Sequence, residues 1–207
     1  MTEPLSPAPP PAWQRHLVER AQAIILKPKS TWAVIDGETT PIRNLFIYYV
    51  LPLAAIGPVA GFLGGQIFGR GVGVLGTVYR PSFLNALSSA VIQYVFAILG
   101  VAVLALIIHA FARQFGGAPS QAQAFKVAIY GSTAAWLAGI FQLVPALSAL
   151  SIVGLYSLYL IYLGLPRLMK APQDKAVIYV IVAIIAAVMV WIVAGALGAA
   201  LTPRMVA

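Results

Sequence analysis

The sequence predicts an all-α, polytopic transmembrane helical bundle that crosses the bilayer five times, and three observations support this fold class. Hydrophobic residues make up 61% of the chain and charged residues 9%. The mean hydropathy is +0.92. Long apolar stretches recur between short connections. A soluble domain carries about a quarter of its residues as charges, so this chain is too poor in charge to cover a water-facing surface, and lipid must be its solvent.

Two segments precede the first apolar stretch. Residues 1–11 are rich in proline and predict a disordered tail. Residues 12–42 form a cytoplasmic segment that opens with an amphipathic helix over 12–26, too polar to span the bilayer. Two interpretations of this helix stay open: it packs on the protein's own cytoplasmic face, or it lies in the lipid interface.

Five spans are expected within a transmembrane domain over 43–201, followed by a short outer tail over 202–207. Each approaches the roughly 20 residues that a bilayer core requires. A tight turn at Pro145 and Ser148 separates the third span from the fourth, although a partly re-entrant path over 125–165 is an alternative. The expected spans are about 45–68, 84–111, 125–143, 150–165 and 176–201.

The positive residues predict the orientation. With the N-terminus inside, ten of the Lys and Arg residues fall on inner segments and only Arg70, Arg80 and Arg204 on outer ones. Cytoplasmic segments carry the excess of positive charge. The chain is therefore expected to have its N-terminus inside and its C-terminus outside in a cell membrane.

The spans offer no catalytic set. No Asp, Glu, Lys or Arg lies at the centre of a predicted span, and His109 is the one imidazole at membrane level. The chain has no cysteine, which excludes thiolate chemistry and disulfides. No motif for a metal, a cofactor or a phosphate loop is present. The basic residues are scattered beside apolar spans, which is typical of topology signals and not of nucleic-acid binding. We expect no enzyme, no cofactor, no metal and no nucleic-acid partner.

Small residues recur every fourth position on two spans. Residues four apart share one helix face, and glycine there lets another backbone approach closely. The pattern predicts a helix-packing seam, either within one bundle or between copies of the chain. Its members are Gly57, Gly61, Gly65, Gly131 and Gly139.

Polar side chains predict a second seam, between the third and fourth spans. Hydroxyls and amides need partners in lipid, so these side chains are expected to face the bundle. The seam is either structural or a substrate path. Its candidate residues are Gln93, Tyr130, Ser132, Gln142, Tyr156 and Tyr159.

Several stretches of the second half resemble the Yip family of Ypt/Rab-interacting membrane proteins, in its prokaryotic branch. The most specific is Leu163 to Pro172 followed by Lys175 and Ala176, and the stretches Lys126 to Ser132, Trp136 to Phe141 and Gly154 to Leu160 are similar too. The resemblance implies five spans, a cytosolic N-terminus and partner binding rather than catalysis.

The leading hypothesis is a non-enzymatic, membrane-organising or protein-binding adaptor. Its partners would be membrane lipid and either another protein or a second copy of the chain. The alternative is a transporter or channel for a small solute or a lipid, since prolines and glycines in the first span permit broken helices. The candidate inner-face binding residues are Trp13, Arg15, Arg20, Arg167, Lys170 and Lys175.

Overall fold

The computed structural model describes residues 17–72 and 77–201. The predicted tails over 1–11 and 202–207 lie outside the described residues, as do Trp13 and Arg15. Helices dominate the part that is described, which confirms the predicted helical class. They are α1 (Leu17–Leu26), α2 (Pro28–Gly37), α3 (Ile42–Leu45), α4 (Leu51–Ala54), α5 (Ile56–Ile67), α6 (Phe83–Phe111), α7 (Gln121–Gly131), α8 (Thr133–Ala138), α9 (Tyr156–Leu168) and α10 (Gln173–Leu201).

Within the described residues, four stretches are long and apolar enough to cross a membrane: Ile42–Ile67, Phe83–Phe111, Gln121–Leu143 and Pro145–Leu168. They correspond to the first four predicted spans. The third is the most enclosed, with 67% of its most apolar window buried inside the protein, against 17% for the second and the fourth. The third span is therefore central, while its neighbours turn most of their apolar surface outwards, as lipid contact requires. The helix α10, at 29 residues, follows where the fifth span was predicted.

The first span is broken along its length. A π-helical turn, Phe46–Val50, joins α3 to α4, and a turn at Ala55 separates α4 from α5. Pro52 and Pro58 follow these breaks by a few residues. Proline cannot donate to the carbonyl four residues earlier and its ring clashes with that carbonyl, so the helix opens there.

A short antiparallel hairpin joins the first span to the second. Strand β1 (Arg70–Val72) pairs with β2 (Thr77–Tyr79), with Gly71 opposite Val78. Gly69 ends the helix with a φ of 76°, a conformation that glycine adopts without steric cost. The helical glycine repeat therefore stops at Gly65 and does not continue through Gly69.

The third and fourth spans are separate helices. Gly139–Leu143 continues the third as a 3-10 helix, and Val144 then adopts an extended conformation that ends it. Pro145 occupies the first turn of a second 3-10 helix, Pro145–Leu155, where its missing N–H needs no partner. Each of the two stretches is long enough to cross a bilayer, as the two-helix interpretation required.

The helices α1 and α2 pack against one end of the bundle. Pro28 is the first residue of α2, so it starts this helix as well as ending α1. Ile24 of α1 and Trp32 and Ile35 of α2 are at most 1% exposed and belong to the main hydrophobic core. Val18 and Leu26 of α1 remain exposed. One side of the amphipathic helix thus binds the protein, and the other presents apolar side chains outwards.

Candidate functional site

Six segments meet at the end of the bundle that carries α1 and α2. They are these two helices, the short helix α3, the α6–α7 connection, the start of α7 and the α9–α10 connection. We call this surface the basic end. Its exposed basic side chains are Lys27, Lys29, Arg43, Arg113, Arg167, Lys170 and Lys175.

Asp36, in the last turn of α2, joins three segments of the basic end. Its Oδ2 atom accepts a hydrogen bond from the Lys170 Nζ at 2.7 Å and lies 4.0 Å from the Arg167 Nε. The Gln123 Nε2 on α7 donates to the Asp36 backbone and side chain at 3.3 and 3.4 Å. One carboxylate therefore connects α2 to both α7 and the α9–α10 connection.

Glu38 is also paired. It accepts a hydrogen bond from the Arg20 guanidinium, and both side chains are about 15% exposed. The Arg20 guanidinium also lies over the ring of Tyr130, 5.9 Å from its centroid, which is within the range of a cation–π contact. Arg20 was predicted to belong to an exposed binding surface. The structure places it inside, where it holds α1 against the end of α2 and against α7.

Lys126 is a buried cation near the start of the third span. It is 3% exposed, and its Nζ donates to the backbone carbonyl oxygens of Ile35, at 3.1 Å, and Glu38. These carbonyls lie at the C-terminal end of α2, where the helix leaves acceptors unsatisfied and its dipole favours a positive charge. Lys126 thus acts as a C-terminal cap that comes from another helix.

The two interhelical connections at this end lock together. The Ala118 N–H donates to the Met169 carbonyl at 2.7 Å, and Pro172 packs on Gly116. Lys170 adopts a φ of 54°, an uncommon conformation for a residue with a side chain, and its Nζ donates to the Arg167 carbonyl at 2.7 Å. Lys170 is therefore exposed but tied to its surroundings, whereas Arg167 and Lys175 project more freely.

The glycines of the predicted helix-packing seam lie where helices of the same chain contact each other closely. Gly57 and Gly139 face each other, and Gly61 lies beside the Gln142 side chain. Gly131 lies against Ile161 of α9, and Gly65 is buried within α5. Gly64 was not predicted, yet its position leaves no room for a β-carbon beside the carbonyls of Gln142 and Leu143. Gly64 is outside the four-residue spacing, so periodicity alone could not find it.

The six polar residues do not converge on one seam. The Tyr156 hydroxyl donates to the Ile25 carbonyl of α1 at 3.1 Å, and the Ser132 hydroxyl donates within its own helix to Ala128. Tyr130 packs edge-on against Tyr49 and Trp32, away from Tyr156. Gln142 faces the first span, whereas Gln93 and Tyr159 are exposed. Among the described residues, polar links between the third and fourth spans are instead made by the Ser157 hydroxyl, which accepts from the Ala135 N–H at 2.8 Å, and by the Ser151 hydroxyl, which donates to the Ala138 carbonyl at 3.5 Å.

Several grooves accompany these contacts, and two of them differ sharply in their lining. The larger, about 680 Å³, opens at the basic end between α2, α9 and the start of α10. The smaller, about 430 Å³, lies at membrane level and is lined mainly by aliphatic side chains of α6, α9 and α10, with Ser132 and Ser157. Within the described ranges, no group of three or more His, Asp or Glu side chains is placed to hold a metal ion.

Long apolar helices around a central third span define a multi-pass helical membrane protein. The Yip1 domain family model matches residues 23–195, which is most of the chain. The chain belongs to this family, and the resemblance seen in the sequence is confirmed.

The chain is similar to the inner membrane protein YohC of Escherichia coli K12, with 32% identity over 118 residues, or 57% of this chain and 60% of that protein. The YohC protein of Escherichia coli O6:H1 matches to the same extent. The match thus spans less than two thirds of these relatives. No solved structure matches the chain. The inner-membrane relatives and the apolar helices confirm the predicted location in a cell membrane.

Proposed function

We propose that this chain is a non-enzymatic membrane-organising or protein-binding adaptor whose basic end is the recognition surface and faces the cytoplasm. The proposal includes α10 as a fifth span, with the N-terminus inside and the C-terminus outside. The 29-residue length of α10 supports this, since about 20 helical residues cross a bilayer core. So does the position of the basic residues, because cytoplasmic segments carry the excess of positive charge.

One observation carries the proposal: the acidic side chains at the end of α2 are neutralised within the protein. Asp36 pairs with Lys170, and Glu38 pairs with Arg20. The exposed Lys29, Arg167 and Lys175 are therefore left to present a positive surface on a packed platform. Such a surface attracts acidic proteins and anionic headgroups and speeds their association.

The experiment is gentle extraction of the full-length chain from its native membrane, followed by the mass and composition of the complex. A reproducible second protein is expected, and a homo-oligomer or a monomer that carries only lipid would count against the adaptor function. The variant R167Q/K175Q should lose that partner while still inserting, because neither side chain is buried. Lys170 is left unchanged because of its contact with Asp36.

The control is R70Q/R80Q, which removes the same charge from the hairpin side of the bundle. Equal retention of the partner by both variants would rule out the basic end as the recognition surface.

A lipid-moving activity is the alternative that the membrane-level groove favours. Its aliphatic lining accepts an acyl chain, and Ser132 and Ser157 are its polar members. The closeness of Gly131 to Ile161 counts against a solute path between the third and fourth spans. Lipid scrambling by the purified protein in liposomes tests the alternative. A rate of lipid transfer between leaflets higher than that of protein-free liposomes would support a lipid-moving activity, and an equal rate would rule it out.

A further inference from the structure

The larger groove at the basic end has the composition of an anion site. It is lined by Lys29 and Trp32 on one side, by Tyr159, Tyr162 and Arg167 on the other, and by Gln173 at the start of α10. We propose that this groove binds the phosphate-bearing headgroup of an anionic phospholipid from the cytoplasmic leaflet. The inference deepens the proposed function and rests on its orientation, with the basic end inside.

A single packing contact builds the groove. A β-carbon on Gly164 of α9 would lie 2.9 Å from the Trp32 ring, so the indole of α2 rests directly on that glycine. Lys29 lies one helical turn before Trp32, and Arg167 lies one turn after Gly164. Residues three or four apart in a helix share a face. The contact between Trp32 and Gly164 therefore sets the two cations on opposite walls of one cleft.

The electrostatics of the cleft favour an anion. No acidic residue is among the described side chains that line it. Among the described residues, the carboxylate that contacts a cation of the groove is that of Asp36, which lies 4.0 Å from the Arg167 Nε and already accepts a hydrogen bond from Lys170 at 2.7 Å. Lys29 has no ion-pair partner among the residues described here. The α10 helix begins at Gln173, so its N-terminal end adds positive potential, part of which is offset by the exposed Asp174 of the same turn, outside the lining of the groove.

The shape of the groove favours a lipid over a soluble phosphate. Tyr159, Tyr162 and Leu163 belong to the membrane-spanning part of α9, whereas Lys29 and Gln173 lie beyond its end. The cleft therefore leads from an aromatic and apolar wall to a cationic mouth, which matches an amphiphile with an anionic head. Tyrosine and tryptophan favour this headgroup level of the bilayer.

Unused donors line the same cleft. The hydroxyls of Tyr159 and Tyr162 have no hydrogen-bond partner in the described part of the chain. The Trp32 Nε1 also has no hydrogen-bond partner but is fully enclosed, so the donors that a ligand can reach are those of the tyrosines. The phosphate and glycerol oxygens of a headgroup could therefore contact the Lys29 and Arg167 charges and accept hydrogen bonds from the tyrosine hydroxyls. Basic pockets between membrane helices bind anionic headgroups in this way.

The test uses the full-length protein in detergent and native mass spectrometry with two lipids that share the same acyl chains. Dioleoyl-phosphatidylglycerol should bind the wild type at least tenfold more tightly than dioleoyl-phosphatidylcholine. K29Q/R167Q should weaken phosphatidylglycerol binding by about 30-fold, since each basic residue near an anionic lipid contributes a factor of about five. Y159F/Y162F, which keeps both rings, should weaken it less.

The matched control is R43Q/R113Q, which removes two exposed cations of the basic end that neither line the groove nor belong to the recognition surface proposed above. Its affinity for phosphatidylglycerol should stay within about twofold of the wild type. Equal binding by K29Q/R167Q and the control would overturn the proposal. So would displacement of the lipid by an equal concentration of inorganic phosphate, which would make the ligand a soluble anion. The assay needs no protein partner, so its result is separable from the search for one.

Discussion

The Lys126 Nζ donates to the Ile35 backbone carbonyl over 3.1 Å from a side chain that is 3% exposed. The lysine comes from the central third span and the carbonyl from the end of α2. Because Ile35 precedes Asp36 and Glu38, the same contact fixes the turn whose carboxylates pair with Lys170 and Arg20. The basic end is therefore anchored to the core of the bundle by one buried cation.

Replacement of that cation should loosen the basic end. K126M keeps most of the side-chain volume but removes the Lys126 donor from the Glu38 carbonyl and leaves the Ile35 carbonyl with the Glu38 N–H alone, at 3.3 Å. A buried polar group that loses its partner costs about 1–3 kcal/mol. We expect the free energy of unfolding in mixed micelles to fall by that amount and protease cleavage between α2 and α3 to become faster. K175M, at an exposed lysine, should change neither; a K126M protein as stable as K175M would show that the cap is dispensable.

Gly57 of the first span and Gly139 of the third lie against each other, but substitution by alanine should destabilise the protein much more at position 139 than at position 57. A β-carbon at position 139 would lie 2.7 Å from the Gly57 Cα, whereas one at position 57 would meet nothing closer than 3.5 Å. We therefore expect Gly139→Ala to destabilise the protein by about 1–3 kcal/mol, the usual cost of overpacking. Gly57→Ala should be tolerated.

Thermal unfolding followed by tryptophan fluorescence measures both variants. Gly37→Ala is the neutral reference, because a β-carbon there meets nothing within 4 Å. If Gly57→Ala proved as damaging as Gly139→Ala, the two backbones would not be arranged as described.

Lys170 combines a backbone conformation that favours glycine with a side chain that pairs with Asp36. Lys170→Ala removes the ion pair and keeps the positive φ, while Lys170→Gly removes the ion pair but relieves the steric cost of that φ, about 1 kcal/mol. The exposed ion pair itself contributes little. We expect the glycine variant to melt at a higher temperature than the alanine variant. The reverse order would mean that residue 170 does not hold this conformation in the membrane.

Hydropathy located the membrane helices well because a run of apolar residues is a local property. The break before Pro145 was equally local, since a proline cannot continue the preceding helix. The partners of the polar residues depend on which helices become neighbours. Helical periodicity predicted which side of its helix Tyr156 occupies. Only the packing of α1 in the structure shows that the Tyr156 hydroxyl donates to the Ile25 carbonyl.

The basic end shows the same limit. The sequence marked Arg20, Arg167 and Lys170 as one set of exposed cations, because their charge and position along the chain are alike. The structure separates them: Arg20 is enclosed by Glu38 and Tyr130, while Arg167 lines a groove. Lys126 was counted only as a topology signal. Burying a lysine just inside the start of an apolar span costs free energy unless its charge has partners. That cost was the one signal in the sequence that Lys126 contacts other polar groups of the protein.

The proposed orientation is open to a direct test, because the chain contains no cysteine and any introduced one is the sole reporter. Thr39 and Arg80 are both exposed and lie at opposite ends of the first span. In intact cells, a membrane-impermeant maleimide should label Arg80→Cys and spare Thr39→Cys. After permeabilisation both should react, which controls for local reactivity. A periplasm-active phosphatase fused after Ala207 should be active if α10 crosses the bilayer. Labelling of Thr39→Cys in intact cells would invert the orientation, and an inactive fusion would leave the chain with four spans.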